Sequence, residues 1–219
     1  MRYFICDLDQ TLYPRDAGVM QQIDTLMTRY MVERLGISEE EARRLRKRYY
    51  REYGTTMYGL RKHHQVDPDD FLHYVHNIPL KSHLRPNPRL ARVLAEIPLI
   101  RVVFTNADRA HAQAVLKALG IADQFQRIID VVDVGYISKP IPEAYRRLLA
   151  LLGASGPECI LVEDSLRNLA PAKALGMRTV LVDDDDQAGV ADAIIDDIVE
   201  VGAVVKQWLR DGDNSAKTS

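Results

Sequence analysis

A chain of 219 residues is long enough for one large domain, or for a core with a smaller insert. Its 47% hydrophobic and 27% charged residues are ordinary for a globular protein, and a net charge of -2 gives no basic footprint for nucleic acid. Cys6 and Cys159 lie far apart in apolar runs and read as reduced core residues, which excludes a disulfide framework. No cleavable basic-apolar leader and no run of membrane-spanning length is present, so the expectation is a cytoplasmic protein without a membrane partner.

The first element is a short apolar strand, Tyr3 to Cys6, followed at once by Asp7-Leu8-Asp9-Gln10-Thr11. Two carboxylates two residues apart raise each other's pKa unless a cation sits with them, so the pair points to a hard metal ion with oxygen ligands, Mg2+ first. From Pro14 to Arg85 the pattern is helical, with expected helices at Val19 to Leu35, Glu39 to Tyr53 and Asp69 to Val75. Ser38 with Glu41 forms a capping box, and Asp67-Pro68 is a helix start. This stretch holds 13 Lys and Arg against 10 Asp and Glu, so it is slightly basic while the rest is acidic. It reads as a helical cap inserted after the first strand.

Strands and helices then alternate. Expected strands are Ile100 to Phe104, Ile128 to Val132, Ile160 to Val162 and Thr179 to Val182; expected helices are Ala107 to Leu119, Pro142 to Leu152 and Leu166 to Leu175. Near-continuous apolar strands alternating with helices predict an α/β fold, a Rossmann-like parallel sheet core covered on both faces. The expected division is a core of residues 1–14 and 86–205, a cap of 15–85 and a polar tail of 206–219. Polar groups follow the ends of the expected strands, Tyr136 to Ser138 read as one of them: Thr105-Asn106 after Phe104, Lys139-Pro140 after Ser138, and Glu163-Asp164-Ser165 after Val162. Parallel strands would bring these to one crevice beside Asp7 and Asp9, the edge where open α/β sheets bind ligands.

In that order, Asp7-Leu8-Asp9-Gln10-Thr11, Thr105, Lys139 and Glu163-Asp164 resemble the four motifs of the haloacid dehalogenase-like hydrolases. Asp9 to Pro14, Phe104 to Ala107, Glu163 to Asn168, and Tyr53-Gly54-Thr55-Thr56 with Gly59-Leu60 resemble the pyrimidine 5'-nucleotidase branch. Gln10 and Glu163 depart from it, where Asn and a second Asp are usual. The resemblance implies phosphomonoester hydrolysis of a small phosphorylated metabolite; a monomer or homodimer is the separate expectation for the assembly. Asp7 would be the nucleophile and Asp9 the acid and base. Thr105 and Lys139 would hold phosphoryl oxygens, Lys139 also restraining Asp7. Mg2+ would be held by Asp7, the Asp9 carbonyl and Asp164, with Glu163 acting through water or as a spare ligand. Asn106 and Asn168 would orient these groups, Asn106 also touching substrate. Pyrimidine nucleoside 5'-monophosphates are the expected substrates, with Tyr13, Gly54, Thr55 and Thr56 as candidate substrate contacts. A phosphosugar phosphatase, a phosphomutase and a non-catalytic phosphate-binding regulator stay open. Dehalogenases of this type lack the second carboxylate, so Asp9 favours phosphate ester chemistry.

Other features carry less. His73 and His76 share a helix face but lack a third metal ligand. His63-His64 and Arg43 to Arg51 read as solvated faces, and Asp183 to Asp186 as an acidic loop. No Walker A, dinucleotide glycine pattern or zinc spacing is present.

Overall fold

Apolar residues alternate between two helix layers along each central strand, and this fixes the architecture. A computed structural model describes residues 1–182, 186 and 189–217. Strand β1 (Tyr3–Cys6) is followed by five helices: α1 (Val19–Leu35), α2 (Glu39–Tyr53), α3 (Thr56–His64), α4 (Pro68–Val75) and the single turn α5 (Leu80–His83). Then come α6 (Pro88–Ala95), β2 (Ile100–Phe104), α7 (Arg109–Ala118), β3 (Arg127–Ile129), α8 (Pro142–Leu152), β4 (Cys159–Glu163), α9 (Leu166–Ala174), β5 (Arg178–Val182), β6 (Ala193–Ile195) and α10 (Val201–Lys217). All neighbouring strands are parallel, in the order β3-β2-β1-β4-β5-β6.

Phe4 and Cys6 pack with Leu90 and Leu94 of α6, Val115 and Leu116 of α7, and Val205 and Trp208 of α10. Tyr3 and Ile5 face the other way, onto Tyr145 and Leu148 of α8 and Leu169 and Ala172 of α9. The helices between β1 and β2 extend the first of these cores through Ile23, Tyr30, Leu45, Leu60 and Phe71. Their ends follow local chemistry. Ser38 accepts from the Glu41 N–H at 3.2 Å, Thr55 from Tyr58 at 3.2 Å, and Asp67 from Asp69 at 2.9 Å, with Pro68 in the first turn. Among the described residues no helix is long and apolar enough to cross a membrane.

Several expectations differ from the structure. Strand β3 stops at Ile129, and Tyr136 to Ser138 is loop, not strand. Asp130 and Asp133 each accept the other's backbone N–H, at 2.9 and 3.2 Å, and Gly135 and Tyr136 take positive φ of 71° and 59°, which no strand ladder accommodates. Residues 206–217, read as tail, continue α10, which Val205 and Trp208 anchor. Strand β6 lies in a stretch for which no strand was expected. Of the acidic run, Asp183 to Asp185 lie outside the described residues; Asp186 accepts from the Ala191 N–H at 2.5 Å.

Candidate active site

Sheet order reverses at β1: β2 and β3 lie to one side, β4 to β6 to the other. The crevice beyond the carboxyl end of β1 is therefore the switch point where such sheets place ligands. Asp7 is the first residue past that end, and its N–H still donates to Val162 O at 2.9 Å, so its carboxylate projects from the sheet edge. Thr105 follows β2, Glu163 ends β4, and the loop after β3 delivers Lys139 between them.

Lys139 is 1% exposed, and its ammonium has three acceptors: Asp7 Oδ1 at 2.6 Å, Glu163 Oε1 at 3.0 Å and Phe104 O at 3.0 Å. A buried ammonium is tolerated only with such partners. Thr11 donates to the other Asp7 oxygen at 3.0 Å. Glu163 is fully buried and each of its oxygens accepts two hydrogen bonds. Oε1 takes Lys139 and Asn168, the latter at 2.6 Å; Oε2 takes the N–H groups of Asp164 and Ser165 at 3.0 and 3.3 Å. Glu163 thus holds Lys139 and shapes the turn that carries Asp164.

Carboxylate oxygens of Asp7, Glu163 and Asp164 all lie within 4.8 Å of one another. Burial, then the Glu163 charge, pushes the Asp7 carboxyl up to about 7 against the pull of Lys139. Burial and the Asp7 charge push Asp164 up to about 6 against Arg15, and burial raises Glu163. Three crowded carboxylates face one buried ammonium and the Arg15 guanidinium, and remain short of positive charge. All-oxygen donors in that state fit a hard divalent cation. Asp9 is not in this cluster. Its carboxylate turns to other partners, which leaves its backbone carbonyl, the atom the resemblance assigned to the metal.

Both of those partners bind one oxygen. Tyr13 Oη donates to Asp9 Oδ1 at 2.6 Å, and His111 Nε2 lies 2.9 Å from the same atom. Burial would raise the Asp9 carboxyl, but His111 and the Tyr13 hydroxyl outweigh it and hold Asp9 below the usual range. His111 sits in the first turn of α7, where Asp108 caps the helix by accepting the His111 N–H at 2.8 Å. His76, at the end of α4, stacks on His111 with ring centroids 4.2 Å apart and lies 2.6 Å from Asp108.

The profile of the haloacid dehalogenase-like hydrolases matches residues 1–176, most of the chain. The chain belongs to this family. Among curated relatives, Phosphate metabolism protein 8 of Saccharomyces cerevisiae is 29% identical over 197 residues, 82% of this chain and 61% of that protein. A phosphoglycolate phosphatase of Mesorhizobium japonicum is 32% identical over 114 residues, 51% of this chain and 49% of that protein. The chain therefore spans less than two thirds of the length of these relatives. Among solved structures, a HAD phosphatase from Thermococcus onnurineus has the same fold, with a TM-score of 0.61 at 21% identity over 94% of this chain and 98% of that one.

Within this haloacid dehalogenase-like hydrolase, the sequence candidates divide by what they touch. Asp7, Lys139, Glu163 and Asp164 converge. Thr105 is 1% exposed and its hydroxyl accepts from the Ala107 N–H at 3.0 Å; the cap of α7 is Asp108. Asn106 clamps Lys139 by both backbone groups, at 2.7 Å to its N–H and 3.1 Å to its carbonyl. Asn168 holds Glu163. Tyr13 is engaged with Asp9. Thr55 Oγ1 meets Ser138 Oγ at 2.8 Å, and Thr56 is buried in the first turn of α3. Arg15, which the sequence reading did not single out, donates to Asp164 O at 2.6 Å, and its guanidinium lies 3.4 Å from the Asp164 carboxylate. Arg167 donates to the Tyr50 and Arg51 carbonyls at 2.5 and 2.7 Å, tying the insert to the α9 start. Tyr136 donates to Asp69 at 2.6 Å and ties the insert to the loop that carries Lys139.

Gly54 has a mechanical reason to be glycine. It closes α2 at φ 88°, and a Cβ there would collide with Lys139 O and Pro140 Cδ. Gly36 closes α1 at φ 66° with nothing within 4 Å of a Cβ. Gly36→Ala should therefore lose about 1 kcal/mol to its left-handed backbone alone. Gly54→Ala should lose roughly 1–3 kcal/mol more by overpacking against the segment that carries Lys139. Urea unfolding of both variants reads the difference; equal losses would refute close approach as the reason for Gly54.

Proposed function

We propose that this chain is a Mg2+-dependent phosphomonoesterase working through an aspartyl-phosphate, with pyrimidine nucleoside 5'-monophosphates as its preferred substrates. The observation that carries the catalytic reading is the separation of two carboxylates two residues apart. Asp7 lies against Lys139 in the acidic cluster, whereas Asp9 is turned to Tyr13 and His111. This separation supports reading Asp7 as the nucleophile and Asp9 as the acid and base.

In the first step an Asp7 oxygen attacks phosphorus and the bond to the ester oxygen breaks. Asp9, ionised in the free site, takes up a proton from solvent as the approaching phosphate anion raises its proton affinity, and delivers that proton to the ester oxygen. In the second step Asp9 takes a proton from water, the water oxygen attacks phosphorus, and the acyl-phosphate bond breaks to regenerate Asp7. Thr105 keeps its hydroxyl proton available for a phosphoryl oxygen, since the interaction with Ala107 uses it only as acceptor. Lys139 acts chiefly by neutralising and orienting Asp7, because Asp7, Glu163 and Phe104 already engage its ammonium. Asp7, Asp164 and the Asp9 carbonyl would hold Mg2+, with Glu163 behind them. When bound, Mg2+ supplies the positive charge that lets one anion approach another.

The pyrimidine reading rests on the branch-like stretches at Asp9 to Pro14, Glu163 to Asn168 and Tyr53 to Thr56. The likeness to the Mesorhizobium phosphoglycolate phosphatase favours a second reading on the same chemistry, a phosphatase of small organic phosphates such as phosphoglycolate. Phosphate release from UMP, CMP, AMP, GMP, phosphoglycolate, sugar phosphates and p-nitrophenyl phosphate, with Mg2+ and with EDTA, separates them. The first reading expects the highest kcat/KM on UMP and CMP, and activity lost in EDTA and restored by Mg2+. A preference for phosphoglycolate or sugar phosphates would keep the mechanism and overturn the nucleotide assignment. Release unaffected by EDTA would overturn the metal.

A further inference from the structure

His111 belongs to no motif used so far, yet it is buried at 3% exposure and aimed at the reacting groups. An ionised carboxylate can only accept, so His111 Nε2 is the donor in the 2.9 Å contact with Asp9 Oδ1. Tyr13 donates to that same oxygen at 2.6 Å. Two donors on one oxygen set the carboxylate plane and leave Asp9 Oδ2 with no hydrogen-bond partner among the described residues. The donor ring is itself fixed. Its backbone N–H is bonded to Asp108, and its face is covered by His76, whose Nδ1 lies 2.6 Å from the second Asp108 oxygen. Asp108 thus grips both histidines, one from the core and one from the insert.

We propose that His111 is a positioning residue for proton transfer: with Tyr13 it anchors Asp9 by Oδ1 and so presents Oδ2 to the leaving oxygen and to the hydrolytic water. The proposal rests on the reading of Asp9 as the acid and base. His76 braces the His111 ring from the insert, so the orientation of Asp9 is built from both parts of the chain. Catalysis by a positioned acid depends on alignment as well as on chemistry, and a loosened carboxylate forfeits part of the roughly 10²–10⁴-fold gain of general acid–base catalysis.

Leaving-group dependence tests this, because an alkoxide needs the proton of Asp9 and nitrophenolate hardly does. The readout is alcohol release in the first turnover, with enzyme in excess, so that hydrolysis of the intermediate does not enter. His111→Leu should slow release from an alkyl monoester at least about tenfold more than release from p-nitrophenyl phosphate, within the span such catalysis provides. His111→Gln, which keeps an N–H donor, should recover most of the loss, and KM should change little. Tyr13→Phe removes the other bond to Oδ1 with little change of shape and should show the same selectivity, so the test survives a poorly folding His111 variant. Equal slowing of both substrates in His111→Leu and Tyr13→Phe, or His111→Gln no better than His111→Leu, overturns the positioning role. Asp9→Asn run alongside separates the two claims. If Asp9→Asn is leaving-group selective and the His111 and Tyr13 variants are not, only the positioning fails. If Asp9→Asn shows no selectivity, the acid–base reading falls and the positioning role with it.

Discussion

Asp9→Asn should lower turnover of alkyl phosphate monoesters by about 10²–10⁴-fold, with phosphate binding retained. The substitution keeps the shape of the side chain and an amide oxygen that can accept from Tyr13 and His111, so the surrounding contacts survive. It removes the negative charge and the ability to carry a proton. Asp7, Lys139 and Asp164, which the phosphate and the metal are expected to meet, are untouched. Steady-state turnover, together with product inhibition by inorganic phosphate, checks both halves. Unchanged turnover would remove Asp9 from the mechanism. Loss of phosphate binding together with turnover would place Asp9 in the binding machinery instead.

Lys139→Met should abolish measurable turnover and destabilise the fold by about 3–5 kcal/mol, the usual consequence of stripping one partner from a buried ion pair. The loss arises from what remains: Asp7 and Glu163 would face each other without the ammonium that lies 2.6 and 3.0 Å from them. Adding Glu163→Gln removes one of those stranded charges. The double variant should therefore be more stable than Lys139→Met alone, with a coupling on the order of 0.5–3 kcal/mol, while remaining inactive. Urea unfolding of the wild type, both single variants and the double variant closes the cycle. Additive losses would mean that Glu163 does not feel Lys139 and that the network is not electrostatically shared.

How much of this the sequence carried depends on how local the signal was. Asp7, Thr105 and Glu163-Asp164 each follow an apolar run that forms a real strand, so topology alone brought them to one edge. Lys139 was placed there for a partly mistaken reason. Tyr136 and Ile137 have strand-like side chains, but positive φ at Gly135 and Tyr136 makes the segment a loop. Gly54 and Thr55 read as ligand contacts because glycine and hydroxyls often are; the sequence did not show that they also seat the insert against Ser138 to Pro140. His111 and His76 were missed as a pair because they meet only in three dimensions. A signal existed: Asp108 with His111 three positions on marks a capped first turn, and that turn lies at the same sheet edge. Strand β6 spans only Ala193–Ile195 and acquires its identity by pairing with β5.

The central claim is that Asp7 becomes covalently phosphorylated. Enzyme mixed with UMP and Mg2+, quenched in acid within the first turnover and reduced with borohydride, should yield homoserine at position 7 by peptide mass spectrometry. No such change should appear without substrate or in Asp7→Asn. Reduction at Asp9 or Asp164, or phosphate released at full rate with Asp7 never modified, would contradict the account.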